Sequence, residues 1–435
     1  MTSSRLRLVL PALLALSRAG GAQDAPLPGR LVAREAVAGD STQHVAAYFP
    51  SGFDRSRPVP VLFVLDPRGR GELALRLFAG GAERHGWLVV SSYNSASDTD
   101  GNPNVDAMNA MLAWTQQHAS MDTTRLYLAG FSGTARIAWG LAAELRPRVA
   151  GMFGTGGGVS FSAGGPEMAF GADSSFAFFG SAGTTDFNYE EMRGLATRLR
   201  LAHVPSRMAW FRGPHSWPPR SLCEQAVDWL ELRAMLGGRR AMDSAFVTHA
   251  LERDLAYADS LERVGQWDAA ETRFREISLD VPGRPEGRRA LARADDLAAR
   301  EPLRALRERA RELARDDQKD LAREYAALRD ARTARPALEP DVLLDKLGVE
   351  VLQRRAASAD SLERDAATRR LSNIGAFISF YEPRAFLAAA DPQRAGASLR
   401  AAARLGPLRG ESCSLVHTTA SLLPPDDARR LPSCP

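Results

Sequence analysis

Ser132 stands in the run Arg-Leu-Tyr-Leu-Ala-Gly-Phe-Ser-Gly-Thr-Ala-Arg, residues 125–136. The apolar stretch reads as a strand, Gly130-Phe131-Ser132-Gly133 as a sharp turn, and the residues after it as a helix. A turn of this kind lifts a serine hydroxyl clear of a sheet, where it can attack a carbonyl carbon, and small flanking residues let strand and helix pass closely. The amide of Gly133 would then face the oxygen that becomes negative during acyl transfer. Thr134 occupies a position where glycine is usual, and a β-branched residue there is expected to tilt the turn.

A serine nucleophile needs a base and a carboxylate to orient that base, and behind such a turn they follow in the chain order Ser, acid, His. Asp186 lies in Gly180-Ser-Ala-Gly-Thr-Thr-Asp-Phe-Asn, after an apolar run ending at Phe179. His215 lies in Arg212-Gly-Pro-His-Ser-Trp-Pro-Pro, one strand later. Open α/β sheets place reactive groups in such loops at strand C-termini. Alone, an Asp after a strand is more often a turn or cap residue. It is the order of all three, after successive strands, that selects them. Glu190 and Glu191 are the nearest substitute carboxylates, each placed inside the following helix. The second oxyanion donor is expected from Asp66-Pro67-Arg68-Gly69-Arg70-Gly71, and Arg68 is the candidate because Pro67 has no N–H. Phe131 and Trp217 are expected to line an acyl or alcohol pocket, simple packing being the plainer alternative.

Strand and helix signals alternate from Gln23 to about Leu236. Val59–Leu65 is continuously apolar, as a strand buried on both faces requires. Further strands are predicted at 87–93, 126–129, 149–153, 176–179 and 207–211, with helices at 72–85, 105–118, 135–145, 189–202 and 221–235. Val45–Phe49 is expected to add an antiparallel edge strand. The fold class is therefore α/β, a mainly parallel sheet with helices on both faces. Beyond Gly237-Gly238 the chain turns rich in Ala, Arg, Leu and Glu with helical periodicity, so domains are expected at 23–238 and 239–435. Ala258, Leu261, Gly265, Trp267, Ala270, Phe274, Ile277 and Pro282 fall at tetratricopeptide spacing. Residues 377–407 form a degenerate second candidate, which points to an all-α, repeat-like domain.

The stretch from Ala46 to Leu236 resembles α/β-hydrolases of the polyhydroxybutyrate depolymerase and feruloyl/acetylxylan esterase type. The resemblance is carried by Gly-Phe-Ser-Gly at 130–133, Gly183-Thr-Thr-Asp186, and Gly213-Pro-His-Ser-Trp-Pro218. It implies a secreted enzyme that cleaves a small ester or ester-linked polymer through an acyl-enzyme, without metal or organic cofactor. Two positions depart from the pattern: Asp66-Pro67-Arg68 where relatives carry His-Gly or His-Gly-Gly, and Thr134. These departures keep open a catalytically inactive scaffold that binds protein. Shared chemistry keeps open a serine peptidase. The helical domain is expected to bind a protein partner or position the enzyme. With no long insertion to act as a lid, an open site is expected.

Residues 1–22 have a basic start (Arg5, Arg7), an apolar stretch from Leu8 to Leu16, and Gly20-Gly21-Ala22, the pattern of a secretory signal. The apolar stretch is too short for a membrane anchor. The expected location is therefore secreted or periplasmic. Removing those residues takes Arg5, Arg7 and Arg18 and no acid, so the formal charge falls from +4 to +1. Only two of the 56 basic residues are lysines, and the 52 acids nearly balance them, which argues against a nucleic-acid partner. Of three cysteines, Cys413 and Cys434 could pair in an oxidising compartment, leaving Cys223 free.

Overall fold

The computed structural model of the protein describes residues 29–99, 101–159, 170 and 175–434, so the signal-like segment lies outside the described residues. Eight strands form one sheet: β1 (Arg30–Val37), β2 (Asp40–Phe49), β3 (Val59–Leu65), β4 (Leu88–Ser92), β5 (Met121–Phe131), β6 (Val149–Thr155), β7 (Ala177–Gly183) and β8 (Ser206–Phe211). Their order is β1-β2-β4-β3-β5-β6-β7-β8, with β2 antiparallel to both neighbours and every pairing from β4 to β8 parallel. This is the α/β-hydrolase arrangement. Val45–Phe49 is antiparallel as expected but is not the edge. β1, whose alternation is weak and largely exposed, pairs outside it.

The sheet's pleat sorts side chains between two cores. On β3, Leu62 and Val64 face one core, while Val61, Phe63 and Leu65 face the other. The second face is covered by α2 (Asn104–His118), α3 (Gly133–Glu144) and α4 (Tyr189–Leu201). The first is covered by α1 (Gly71–His85) and α5 (Arg220–Leu236). That core continues without a break into α6 (Ser244–Arg263), α7 (Trp267–Asp280) and α8 (Pro285–Ala299), through Val247, Leu251, Phe274 and Ile277. Position 238 thus marks a change of secondary structure inside one core.

α6 and α7 also close the edge of the sheet at β8. Arg207 on β8 is buried between Asp254 of α6 (2.6 Å) and Asp280 of α7 (2.7 Å), and the indole N–H of Trp229 donates to Asp280 at 3.0 Å. Glu276 accepts the β8 edge N–H of Met208 at 2.9 Å, satisfying a backbone donor that an edge strand would leave open. Burial pushes the Glu276 carboxyl above its ordinary value.

The helix–turn–helix read from the repeat spacing is present as α6 and α7. It is followed, after α8, by one 33-residue helix, α9 (Glu301–Thr333). At about 1.5 Å per residue α9 is roughly 50 Å long. It leads to a second helical cluster with its own core: α10 (Pro340–Lys346), α11 (Val349–Ala356), α12 (Ser361–Ala376), a π-helical turn (Phe377–Tyr381), α13 (Glu382–Ala388), α14 (Pro392–Leu405) and α15 (Glu411–Leu422). Cys413 of α15 is disulfide-bonded to Cys434, and Cys223 is free and buried. No helix among the described residues is long and apolar enough to cross a membrane.

Candidate active site

β5 ends at Phe131 and α3 begins at Gly133, so the whole reversal falls on Ser132, with φ 55° and ψ −127°. Such a conformation is costly for a residue with a Cβ and persists where the surroundings over-determine it. Small residues make room for it. A Cβ on Gly130 would lie 2.7 Å from the Ala135 backbone, and one on Gly157 would lie 2.2 Å from the Ser132 carbonyl oxygen. Gly157, after β6, is a part of the elbow that local sequence does not reveal, because its neighbour comes from another strand.

Thr134 is packed inside this turn. Its buried hydroxyl accepts from the Phe131 N–H at 3.2 Å and lies 2.7 Å from the Leu65 carbonyl and 2.8 Å from that of Phe131. The γ-oxygen satisfies backbone groups inside the turn and ties the elbow to the end of β3.

The loops after β7 and β8 bring Asp186 and His215 to Ser132. His215 Nε2 lies 2.8 Å from Ser132 Oγ, and His215 Nδ1 lies 2.8 Å from Asp186 Oδ1. Asp186 is fully buried, and its Oδ1 also accepts the Asn188 N–H at 2.8 Å. The two loops are hydrogen-bonded to each other: Thr184 N–H to Phe211 O at 2.8 Å and Thr185 N–H to Gly213 O at 3.0 Å. The substitute carboxylates are elsewhere. Glu191 binds Arg136 at 2.6 Å and the Gly158 N–H at 2.7 Å, and Glu190 is exposed.

Gly133 opens α3, where the first N–H groups have no partner within the helix and the helix dipole favours negative charge. Arg68 does not supply the second donor. Its N–H is spent inside its own loop on Asp66 Oδ1 at 2.9 Å. Asp66, fully buried, organises that loop: it also accepts the Arg70 guanidinium at 3.0 and 2.8 Å and the indole N–H of Trp217 at 2.8 Å. Burial works to raise the Asp66 carboxyl. The hydrogen bonds from Arg70, Trp217 and Arg68 outweigh it and hold the group below the ordinary carboxylate value. The Asp66 carboxylate thus holds the Asp66–Arg70 loop together and ties it to the histidine loop through Trp217.

Phe131 and Trp217 both line the cavity above Ser132. Their ring centroids are 5.6 Å apart, and the Phe131 ring lies 4.7 Å from the His215 ring. The Phe187 ring, beside Asp186 in the chain, has its centroid 4.2 Å from that of His215. The cavity measures about 510 Å³ and is partly open to solvent. Its far wall is the second helical cluster: Phe380 and Tyr381 of the π-helical turn, with Arg409 and Glu411 before and at the start of α15. The roof is fastened around the rim by Arg68 to Glu411 at 3.3 Å and by Arg384 to the Asp98 carbonyl. The site thus stays partly open, as expected, and what covers it comes from the far end of the chain rather than from an insertion between strands. Among the described residues no cluster of His, Cys, Asp or Glu is arranged to hold a metal ion.

The sequence matches no protein-family profile and no curated protein. Among solved structures, it is similar to the apoenzyme of an S-formylglutathione hydrolase from Staphylococcus aureus, at 14% identity and a TM-score of 0.36, over 47% of this chain and 98% of that one. A ferulic acid esterase gives 13% and 0.35, over 46% of this chain and 95% of that one. The dipeptidyl peptidase 4 of Porphyromonas gingivalis gives 17% and 0.35, over 47% of this chain and 35% of that one.

Proposed function

We propose that the protein is a serine hydrolase of carboxylic esters. The observation that supports it is the unbroken relay of hydrogen bonds from Ser132 through His215 to buried Asp186, 2.8 Å at each link. In this reading Ser132 Oγ attacks the ester carbonyl as His215 Nε2 takes its proton. Asp186 holds the imidazole and stabilises its charged form. The carbonyl oxygen, now negative, receives the Gly133 N–H at the head of α3. Collapse breaks the bond to the alkoxy oxygen, which leaves as the alcohol with the proton from His215. A water, deprotonated by His215, then attacks the acyl-serine; the acid departs and Ser132 regains its proton.

The roofed cavity favours a small ester over a polymer chain threading past Ser132. The signal-like residues 1–22 and the disulfide of Cys413 with Cys434 favour a secreted or periplasmic location. A protein partner of the helical region would use its outer face, because its inner face borders the cavity.

One observation favours a second reading, a non-catalytic scaffold: the Arg68 N–H is already consumed, leaving Gly133 as the one backbone donor of the expected pair. Initial rates on p-nitrophenyl acetate and butyrate, for the protein and for Ser132→Ala with matched circular dichroism, separate the two. Activity abolished in a folded Ser132→Ala supports the hydrolase; equal background rates for both support the scaffold. Parallel assays on dipeptidyl p-nitroanilides test a peptidase.

A further inference from the structure

One peptide group in the acid loop is held from both ends, and one of the two clamps comes from the C-terminal helices. The Thr185 N–H donates to Gly213 O in the histidine loop at 3.0 Å. The carbonyl of the same peptide, Thr184 O, accepts from Arg369 Nη1 at 2.8 Å. Arg369 belongs to α12, and its side chain is only 15% exposed. Its guanidinium carbon lies 4.4 Å over the Tyr189 ring, at the start of α4, and its Nη2 is 3.7 Å from Glu190. The next residue after the clamped peptide is Asp186, whose Oδ1 meets His215.

We infer that Arg369 is a positioning residue for the Asp186–His215 pair, so that the C-terminal helical cluster completes the active site. The inference rests on the hydrolase reading above and deepens it. A charge-assisted bond to Thr184 O polarises the peptide and strengthens the bond its N–H makes to the histidine loop. The planar guanidinium also fixes direction: stacked on Tyr189, it can meet the carbonyl only in one plane, which sets the loop against α4. Removing the clamp leaves Ser132, His215 and Gly133 in place but lets the carboxylate drift. A misplacement of roughly 1 Å in such a site costs on the order of 100-fold in rate.

The test uses the full chain. Arg369→Met keeps the aliphatic stem and has no donor. Its kcat is expected to fall about 10- to 100-fold, with KM within about two-fold, and the low-field proton resonance of the His215–Asp186 hydrogen bond should shift or broaden. Arg369→Lys is expected to recover part of the loss, and Arg364→Ala on the same helix to match the parent protein. A folded Arg369→Met with kcat within two-fold of the parent and an unmoved resonance overturns the inference. Should Arg369→Met not fold, Arg369→Lys decides: one ammonium cannot both stack on Tyr189 and reach Thr184 O, so a several-fold drop in kcat is expected and an unchanged kcat overturns the inference. A parent protein that neither hydrolyses esters nor labels with a fluorophosphonate would sink the hydrolase reading alone. The resonance, measured without substrate, would still report whether Arg369 holds the pair.

Discussion

The hydroxyl of Thr134, one residue into the helix that follows the elbow, lies 2.7 Å from the carbonyl oxygen of Leu65 at the end of β3. The contact joins the turn carrying Ser132 to the strand whose following loop carries Asp66, so a residue that looks out of place works as a tie. Thr134→Val keeps the shape and removes the oxygen, leaving the Phe131 N–H without this partner. We expect a loss of about 1–3 kcal/mol in urea unfolding and reduced esterase activity. Thr134→Ser should retain most of both.

Strain at Ser132 gives a second expectation. Its φ of 55° is tolerable for glycine and costly for any residue with a Cβ. Ser132→Ala and Ser132→Gly both remove the nucleophile, but only glycine relieves the backbone. Both variants should lose ester hydrolysis, while Ser132→Gly melts higher than Ser132→Ala by an amount equivalent to about 1 kcal/mol. Equal melting temperatures would mean that the elbow stores no strain.

Asp66 makes stability depend on pH in a stated direction. Its carboxyl is held below the ordinary value in the folded chain, so the folded state binds this proton less readily than the unfolded state. The stabilisation is full above the unfolded carboxylate value near about 4 and is lost as pH falls through the folded value. Denaturant titrations from about pH 6 downward should therefore show the protein's advantage over Asp66→Asn shrinking below about pH 4. A constant difference across that range would contradict the assignment. Trp217 fluorescence is a local reporter, because its indole N–H is bonded to the same carboxylate.

The roof predicts how the site measures its substrate. Phe380 and Tyr381 face the cavity that contains Ser132. Shortening Tyr381 to Ala should raise kcat/KM for p-nitrophenyl octanoate relative to acetate several-fold, each accommodated methylene being worth up to about 1 kcal/mol. An unchanged chain-length profile would place the acyl group away from the π-helical turn.

At the sheet's edge, Asp280 serves three buried groups at once, the guanidinium groups of Arg207 and Arg233 and the Trp229 indole. Asp280→Ala would leave Arg207 with Asp254 as its remaining close carboxylate. A destabilisation of about 3 kcal/mol is expected, with ester kinetics of the remaining folded protein unaltered. Thermal melts and kcat measured below the transition check both halves.

Local sequence was enough for every parallel strand, for the helices of the α/β region, and for the order Ser132, Asp186, His215. Those features are written in periodicity and turn chemistry within a few residues of each position: the apolar run of Val59–Leu65, the Gly-Phe-Ser-Gly turn, the Gly-Pro-His loop. The edge strand β1 escaped because it is largely exposed and carries little alternation. Other matters were decided only in the folded chain, most of them by contacts between segments far apart in the sequence. Arg68 could be named as a donor from its loop, but only the folded loop shows its N–H turned onto Asp66. Thr134 reads as a steric problem until Leu65 is brought beside it. The cavity's roof, the Arg369 clamp and the glycine fit at Gly157 depend on where α9 delivers the last helices and on how β6 lies beside β5. Tertiary packing sets such meetings, because neither hydrogen-bond direction nor the surface a helix covers is encoded in the few residues around it.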